Sequence, residues 1–516
     1  MTSTSQQTFR TTCLILTLAA AGMAALLALL PAAGHDQLWF LMMAHRWLAG
    51  AQLYGPQAFD SNPPGIVWLS ALPVLLAHVL HIPTTFAAKL LVTVLETATS
   101  FLSLYFLQKA RPTPSYEIPA LLFAAITLFY VIPARDFGQR DQILAFLILP
   151  YILAAATPQR LTLARIAAGI LAATAICLKP HHALIPLAIE LTLLLKPFPS
   201  QTRLRTLLRP EPILITLIGA LFLATIHHLT PLYFTSALPI LHQTYWAIGH
   251  LSIPALSLEA IELLILAAIS ISLRPRTRVI LLLQIAALAA TAAYFLQGTG
   301  WYYQQLPAID LFAAALTLQL LDIAASKPLT LPTWLPKATA ALSILALALT
   351  TYFTGSPFTP DRAFAITNPD PTFFTSLAPD TPVAILTTSV DAAMMPIERY
   401  HLTWAQRMNN LWLLPAILRS ESPSAGTPPT RTLPPATIAQ LDTLQHRWMV
   451  EDLTRWQPKL ILIDRCQDPA VHCQELEDRH DNLLAFFLRD PAFATLWTHY
   501  TYTGSHGDFD AYTLNP

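Results

Sequence analysis

Twelve apolar stretches follow one another along the first two thirds of the chain. They are Thr12–Leu30, Pro64–Leu80, Phe86–Leu107, Ile118–Ile132, Gln142–Ala156, Leu161–Leu178, Ala183–Leu195, Ile213–Leu229, Ile253–Leu273, Val279–Leu296, Leu306–Ala325 and Ala338–Phe353. Several fall short of the ~20 residues that a spanning helix usually needs. From Thr354 the pattern changes: Pro, Thr, Asp and Arg rise and the apolar runs shorten. Val383–Thr387 and Leu460–Asp464 read as buried strands, Thr437–Trp456 and Gln474–Leu488 as helices, and Phe509–Thr513 as a last strand. The pattern therefore predicts an all-α polytopic membrane domain over residues 1–353 and a small α/β soluble domain over 354–516. Ser420–Pro435, rich in Ser, Thr and Pro, is expected to be a mobile loop. No internal repeat is present.

Composition agrees with a bilayer rather than one very large soluble core. Apolar residues make up 54% of the 516 positions and charged residues only 12%, against roughly 25% in an ordinary soluble domain. The formal net charge is zero, and no basic tract suggests nucleic acid. Arg10 followed by Thr12–Leu30 resembles a signal peptide, but the run is long for a signal core and further spans follow, so it reads as a retained first helix.

Charge sets the topology through Pro64–Leu80. If that stretch lies on the membrane surface, the loops with Lys109 and Arg111, Arg160, Arg203, Arg205 and Arg209, Arg274, Arg276 and Arg278, and Lys327 and Lys337 share a side with Arg10. The opposite loops then hold only Arg46, Lys89, Arg135, Arg140 and Lys179. Basic loops belong in the cytoplasm, so the surface reading is preferred; the opening Asn62–Pro63–Pro64–Gly65 also suits an interfacial or re-entrant helix. The expectation is about eleven spans in the inner (plasma) membrane, with a cytoplasmic N-terminus and an extracytoplasmic C-terminal domain. The long first outer loop covers residues 31–85.

The outer side then collects the ionisable residues. His35-Asp36-Gln37-Leu38-Trp39 opens an amphipathic stretch reaching Ala49, and Asp136, Arg140 and Asp141 form a second cluster. Such groups at bilayer depth are costly and usually functional, although a solvated helix mouth would have the same composition. Transfer to a hydroxyl or amine needs a base and cations for a phosphate leaving group. Asp36 suits the base, with Asp141 as the alternative; Arg140 and Lys179 suit the phosphate, Arg through its two-pronged donor geometry. Trp301, Tyr302 and Tyr303 in the loop Gly298–Pro307 read as an aromatic belt or as groups flanking a lipid or sugar. Lys179-Pro180-His181-His182 and the pair His227, His228 raise the question of a metal. Adjacent histidines do not easily ligate one ion from a helix face, which favours an interfacial polar cap. A divalent metal is left open. Glu96, Glu190, Glu259, Glu262 and Asp310 lie scattered within apolar segments and read as packing groups or positions near helix ends.

Asp36 after the first span, then Tyr54…Asp60-Ser61-Asn62-Pro63-Pro64-Gly65, then Arg140-Asp141 at the next outer loop, resembles the GT-C membrane glycosyltransferases. The nearest branch is that of the protein O-mannosyltransferases and lipid A aminoarabinose transferases. The resemblance covers the first 200 residues, and the topology extends it to about residue 353. It implies a polyprenyl-phosphate-linked sugar donor, with Asp36 activating the acceptor, Asp136 and Asp141 as further catalytic acids, and Arg140, Lys179 and Asn62 at the donor phosphate. His35, Tyr54, Asp60, Trp301, Tyr302 and Tyr303 would flank the substrates; Asp36, Asp136, Asp141, Arg140, Lys179 and Asn62 are expected to converge on one outer cavity. One departure stands out. The aminoarabinose branch carries Glu-Lys before Pro-Pro and the mannosyltransferases carry His, where this chain has Asn62. The phosphate-facing lysine is missing there, and Arg140 and Lys179 are the candidates to replace it.

The acceptor (lipid, glycan or protein) is not legible. Two other classes fit the composition: a transporter or flippase of lipid-linked saccharides, and a non-catalytic envelope-assembly protein whose tail binds partners. Transporters usually show repeated halves, which this chain lacks. Cys13 and Cys177 sit in apolar runs as small hydrophobes, whereas Cys466 and Cys473, seven apart in a tail placed where disulfides form, are candidates for a bridge. The tail is expected to act as a lid or acceptor-docking domain.

Overall fold

The computed structural model describes residues 3–29, 33–133, 136–158, 162–196, 208–249, 251–275, 277–326, 331–354, 369–422, 432–476 and 479–516. Arg135, Arg160, Arg203, Arg205, Arg276, Lys327 and the centre of the Ser420–Pro435 loop lie outside them. Two compact units emerge, and neither is continuous in sequence. One comprises Met1–Gly34, Leu75–Ala224 and Leu251–Ala363; the other comprises His35–Val74, Thr225–His250 and Phe364–Pro516.

The helices in chain order are α1 Ser3–Leu29, α2 His35–Leu48, α3 Gly65–Leu80, α4 Thr84–Ala110, α5 Ile118–Ile126, α6 Arg140–Ala155, α7 Leu163–Leu178, α8 Leu184–Leu195, α9 Pro210–Leu229, α10 Leu238–Thr244, α11 Ile253–Glu259, α12 Ile261–Ser272, α13 Arg278–Gln297, α14 Leu306–Ser326 and α15 Leu335–Thr354. Among the described residues five helices are long and apolar enough to cross a membrane, or six if α11 and α12, bent by 77°, count as one span. Gly65–Leu80, Leu163–Leu178 and Pro180–Leu195 are shorter apolar helices. α3 has 16 residues, about 24 Å at 1.5 Å per residue, against a hydrocarbon core of about 30 Å.

In the membrane unit α6 is the central element, buried along nearly its whole length and packed on α7 and α4. α7 approaches closely through Ala168, Gly169, Ala172, Ala173 and Ala175, all on its buried side. A Cβ on Gly169 would come within 3.0 Å of Glu211 Cα and Leu214 Cδ1. Small residues are what allow helices to approach so closely in a bilayer. Beside this contact two buried ion pairs staple the bundle. Arg165 meets Glu211 at 2.5 Å and also donates to the carbonyls of Ala154, Thr157 and Pro158. Arg209 pairs with Glu190, which also accepts from Tyr151 Oη at 2.7 Å. Breaking a buried pair leaves one charge uncompensated. Glu211→Ala is therefore expected to destabilise this unit by about 3–5 kcal/mol, read as a lower melting temperature and lower yield of folded protein in detergent. Wild-type melting would contradict it.

The second unit carries a five-stranded mixed sheet: β1 Pro382–Leu386, β2 Thr403–Trp404, β3 Leu460–Asp464, β4 Tyr500–His506 and β5 Phe509–Leu514, in the order β2-β1-β3-β5-β4. β1 and β3 pair in parallel with Val383 opposite Leu460, and β5 returns antiparallel to β3. Helices α16 Asp391–Arg399, α17 Leu414–Glu421, α18 Pro435–Trp456, α19 Leu483–Phe487 and α20 Pro491–Trp497 complete it. The sequence-predicted helix Gln474–Leu488 shrinks to α19, whose start is fixed by the Asn482 side chain accepting from Ala485 N. Cys466 and Cys473 are bridged, with Cα atoms 5.4 Å apart. Asp464 Oδ2 accepts from Thr387 Oγ1 at 2.7 Å.

Burial pushes the Asp464 carboxyl up from 3.8 to about 7, the Thr387 hydroxyl opposing and Asp508 adding to the shift. Because the folded state then binds the proton more tightly than the unfolded one, stability is fully present below about pH 4 and is lost as pH rises towards about 7. Protection of the β3 amides from hydrogen exchange, corrected for intrinsic rate, is expected to fall over that window by at most about tenfold per pH unit. The Asp464→Asn variant should flatten the slope, and an unchanged slope would remove Asp464 as its source.

Candidate functional site

In the membrane unit the polar centre forms at the first turn of α6. Gln139 caps the helix by accepting from Arg140 N at 3.1 Å, and Gly138, at φ 88°, turns the chain into it. Gln142 ties this corner down, accepting from Gly138 N at 2.8 Å and donating to Phe129 O at 2.7 Å. Asp141 is thereby held fully buried; Arg140 beside it and Asp136, in the turn before the helix, are buried too. At the end of α7, Lys179 leaves the helix in an extended conformation and Pro180 starts a 3₁₀ turn that carries His181 and His182. Lys179 Nζ lies 2.7 Å from Asp141 Oδ2, and His182 Nε2 lies 3.7 Å from Asp141 Oδ1.

A third element closes the centre. Gln297, the last residue of α13, accepts from Lys179 Nζ at 3.2 Å. Gly298 and Gly300 follow at φ 77° and 78°, where a side chain is strained; a Cβ on Gly300 would also meet Leu251 Cδ1 at 2.5 Å. This turn brings the Tyr303 ring to 5.4 Å from Lys179 Nζ, with Trp301 5.8 Å from Tyr303 between ring centroids. Tyr302 is exposed while Tyr303 is buried, so the three aromatics do not act alike as a belt. His182 likewise departs from the expectation of an interfacial cap, being buried against Asp141. Among the chain's ionisable groups, a carboxylate, an ammonium and an imidazole thus share one water-poor site, where such groups are costly and usually functional.

The other residues singled out by sequence lie in the second unit. Asp36 sits in the first turn of α2, 3.3 Å from His35 Nε2, with its side chain 12% exposed. Asp60 accepts from the Trp39 indole and, at 2.5 Å, from Asn62 N. Tyr54, at φ 63°, donates from its hydroxyl to Asn62 O at 2.6 Å and packs 5.2 Å from the Tyr233 ring. Burial, then Asp60 and Tyr233, hold the Tyr54 phenol well above its usual range, so it stays a donor. Asp60 and Tyr54 thus shape the loop that follows α2.

The far end of α2 is clamped. Arg46 donates to Gln57 O at 2.7 Å, Gln406 O at 2.8 Å and Trp404 O, and stacks 5.0 Å from the Trp456 ring. Phe59 N donates to Arg407 O at 2.9 Å, and Arg407 in turn is gripped by Asp452 and Glu451. His227 and His228 are exposed at the end of α9. Among the described residues, the one group of three metal-ligating atoms is Asp464, Cys466 and Cys473, and the disulfide uses both sulfurs.

No family model matches the chain, and no curated protein matches it. Among solved structures, the crystal structure of apo ArnT from Cupriavidus metallidurans matches 96% of this chain and 97% of its own, with a TM-score of 0.50 and 13% identity. The cryo-EM structure of the arabinofuranosyltransferase AftD from Mycobacteria matches with a TM-score of 0.40 and 14% identity, over 97% of this chain and 40% of AftD. Both neighbours are GT-C glycosyltransferases, and the match to ArnT shows that this chain shares its fold.

Proposed function

We propose that this chain is a membrane glycosyltransferase that moves a sugar from a polyprenyl-phosphate carrier to a lipid, glycan or protein acceptor at the outer face of the plasma (inner) membrane. The observation that carries the reading is the buried Asp141–Lys179 pair in a chain with a GT-C fold. Transfer breaks the bond between the sugar and the phosphate oxygen and joins the sugar to an acceptor oxygen or nitrogen. The acceptor proton goes to Asp36, and polyprenyl phosphate leaves. Lys179 and Arg140 supply positive charge for that phosphate, as the departure at Asn62 requires. Asp141 serves as the counter-charge that keeps Lys179 in place, and the grip of Lys179 makes it a poorer base than Asp36.

The broken pair α11–α12 favours a second reading, because interrupted helices are common in transporters. Mass spectrometry of envelope lipids and glycans with and without the gene tests the first. Loss of one sugar unit from an acceptor, together with release of free polyprenyl phosphate by the purified protein, supports transfer. Donor that changes leaflet without being consumed supports transport and refutes the proposal.

A further inference from the structure

A cavity of about 510 Å³ opens in the membrane unit between α1, α4, α5 and α14. That is the size of an ordinary small-molecule site. Its walls are mainly hydrocarbon, with Ala24 and Ala28 of α1 leaving the room, and Phe101 and Leu122 on its lining are exposed at 68% and 45%. The site is therefore reached from the side of the lipid chains rather than through Asp141 and Lys179, none of which line it.

One wall differs from the rest. Thr93, Glu96, Thr97, Ser100 and Ser103 line the cavity from α4 at spacings of three and four, a polar stripe on one face of a candidate span. Thr97 satisfies itself on Thr93 O at 2.7 Å, and Tyr130 Oη donates to the same carbonyl at 3.3 Å. Glu96 and Ser103 do not. Among the described residues, Glu96 Oε2 and Ser103 Oγ have no hydrogen-bond partner, although the residues are only 1% and 6% exposed. They stand seven residues apart on the helix, about 10 Å along its axis.

Burying a carboxyl or hydroxyl without a partner costs free energy in either protonation state, and lipid tails cannot supply one. A plain isoprenoid or acyl chain would fill the volume and leave both groups unsatisfied. We propose that this cavity is a binding site for a long-chain lipid that carries a neutral hydrogen-bonding group, a hydroxyl or an amide, along its chain. The group meets Glu96, and the hydrocarbon on either side occupies the apolar walls. The site is separate from the proposed transfer chemistry and does not depend on it.

The test uses the full chain in phosphatidylcholine nanodiscs and three photoactivatable C16 probes with a diazirine. One has a mid-chain hydroxyl, one has none, and one has a mid-chain amine. Peptide mapping reads labelling within Ala21–Ala28 and Thr93–Leu107. The hydroxyl probe is expected to label these segments about fivefold more than the plain chain, the scale of one hydrogen bond. Glu96→Leu should bring that ratio to unity, and Glu96→Gln, which still hydrogen-bonds, should keep it. Should Glu96→Leu fail to fold, Ala24→Phe fills the cavity and should abolish labelling by both probes. Equal labelling by hydroxyl and plain chains, as expected for a cavity that holds only water or bulk lipid, overturns the proposal. So does preferential labelling by the amine.

Discussion

Asp36→Asn is expected to lower turnover by about 10²–10⁴, the scale of a lost acid–base group. Asparagine keeps the shape of the side chain and its place in the first turn of α2, but it cannot accept the acceptor's proton. The position is suited to such a role for reasons visible in the second unit. The carboxylate is mostly buried, and its Oδ1 lies 3.3 Å from His35 Nε2. The helix that carries it is fixed at its far end, where Arg46 spans the carbonyls of Gln57, Gln406 and Trp404. A base held on a rigid element keeps its orientation between ground and transition state, and that pre-organisation is where rate is gained. Steady-state rates at equal membrane expression decide the matter. Wild-type turnover in Asp36→Asn would end the assignment of Asp36, and a larger loss in Asp141→Asn with the fold intact would transfer the role to Asp141.

The clamp on α2 also explains what the sequence could and could not reveal. Hydrophobic runs located the helices because burial in lipid or core leaves a local imprint, and Leu460–Asp464 is legible as β3 for the same reason. β4, reading Tyr-Thr-Tyr-Thr-Gly-Ser-His, is an edge strand with exposed residues, and its polar look concealed it. The helix predicted over Gln474–Leu488 failed because the Cys466–Cys473 loop and the Asn482 cap delay its start, and neither constraint has a periodic signature. The packing of His35–Val74 with Thr225–His250 and the tail is written in contacts such as Arg46 with Gln406, 360 positions apart, which no window along the chain can contain. Of the membrane-unit site, Asp141, Arg140 and Lys179 were visible as ionisable residues beside apolar runs. His182 stood out only as part of a possible metal pair or polar cap, and Gln297 did not stand out at all, because only the packing of α6, α7 and α13 makes them neighbours of Asp141 and Lys179. The Pro180 that turns His182 inward was the available clue.

The same three helices set the second large effect. Asp141 is fully buried, and its oxygens face Lys179 at 2.7 Å and His182 at 3.7 Å. Removing either member of such a pair strands the other charge in a poorly solvated place, so Asp141→Asn and Lys179→Met are each expected to destabilise the membrane unit by about 3–5 kcal/mol. Lys179→Met should be the more damaging. It leaves the carboxylate with a single histidine, whereas Asp141→Asn leaves the ammonium with Gln297 Oε1 at 3.2 Å and the Tyr303 ring at 5.4 Å. The double variant removes both charges, so its loss should be well below the sum of the two, with a coupling of about 0.5–3 kcal/mol. Thermal unfolding of the four proteins in one detergent measures that coupling. Activity separates the roles further: if Lys179 holds the donor phosphate, Lys179→Met raises the donor KM in whatever fraction remains folded, because a phosphate is bound in both ground and transition state. Additive losses in the four-protein comparison would mean that the two charges do not depend on one another. A donor KM unchanged in folded Lys179→Met would move the phosphate away from Lys179 and leave Arg140 to hold it.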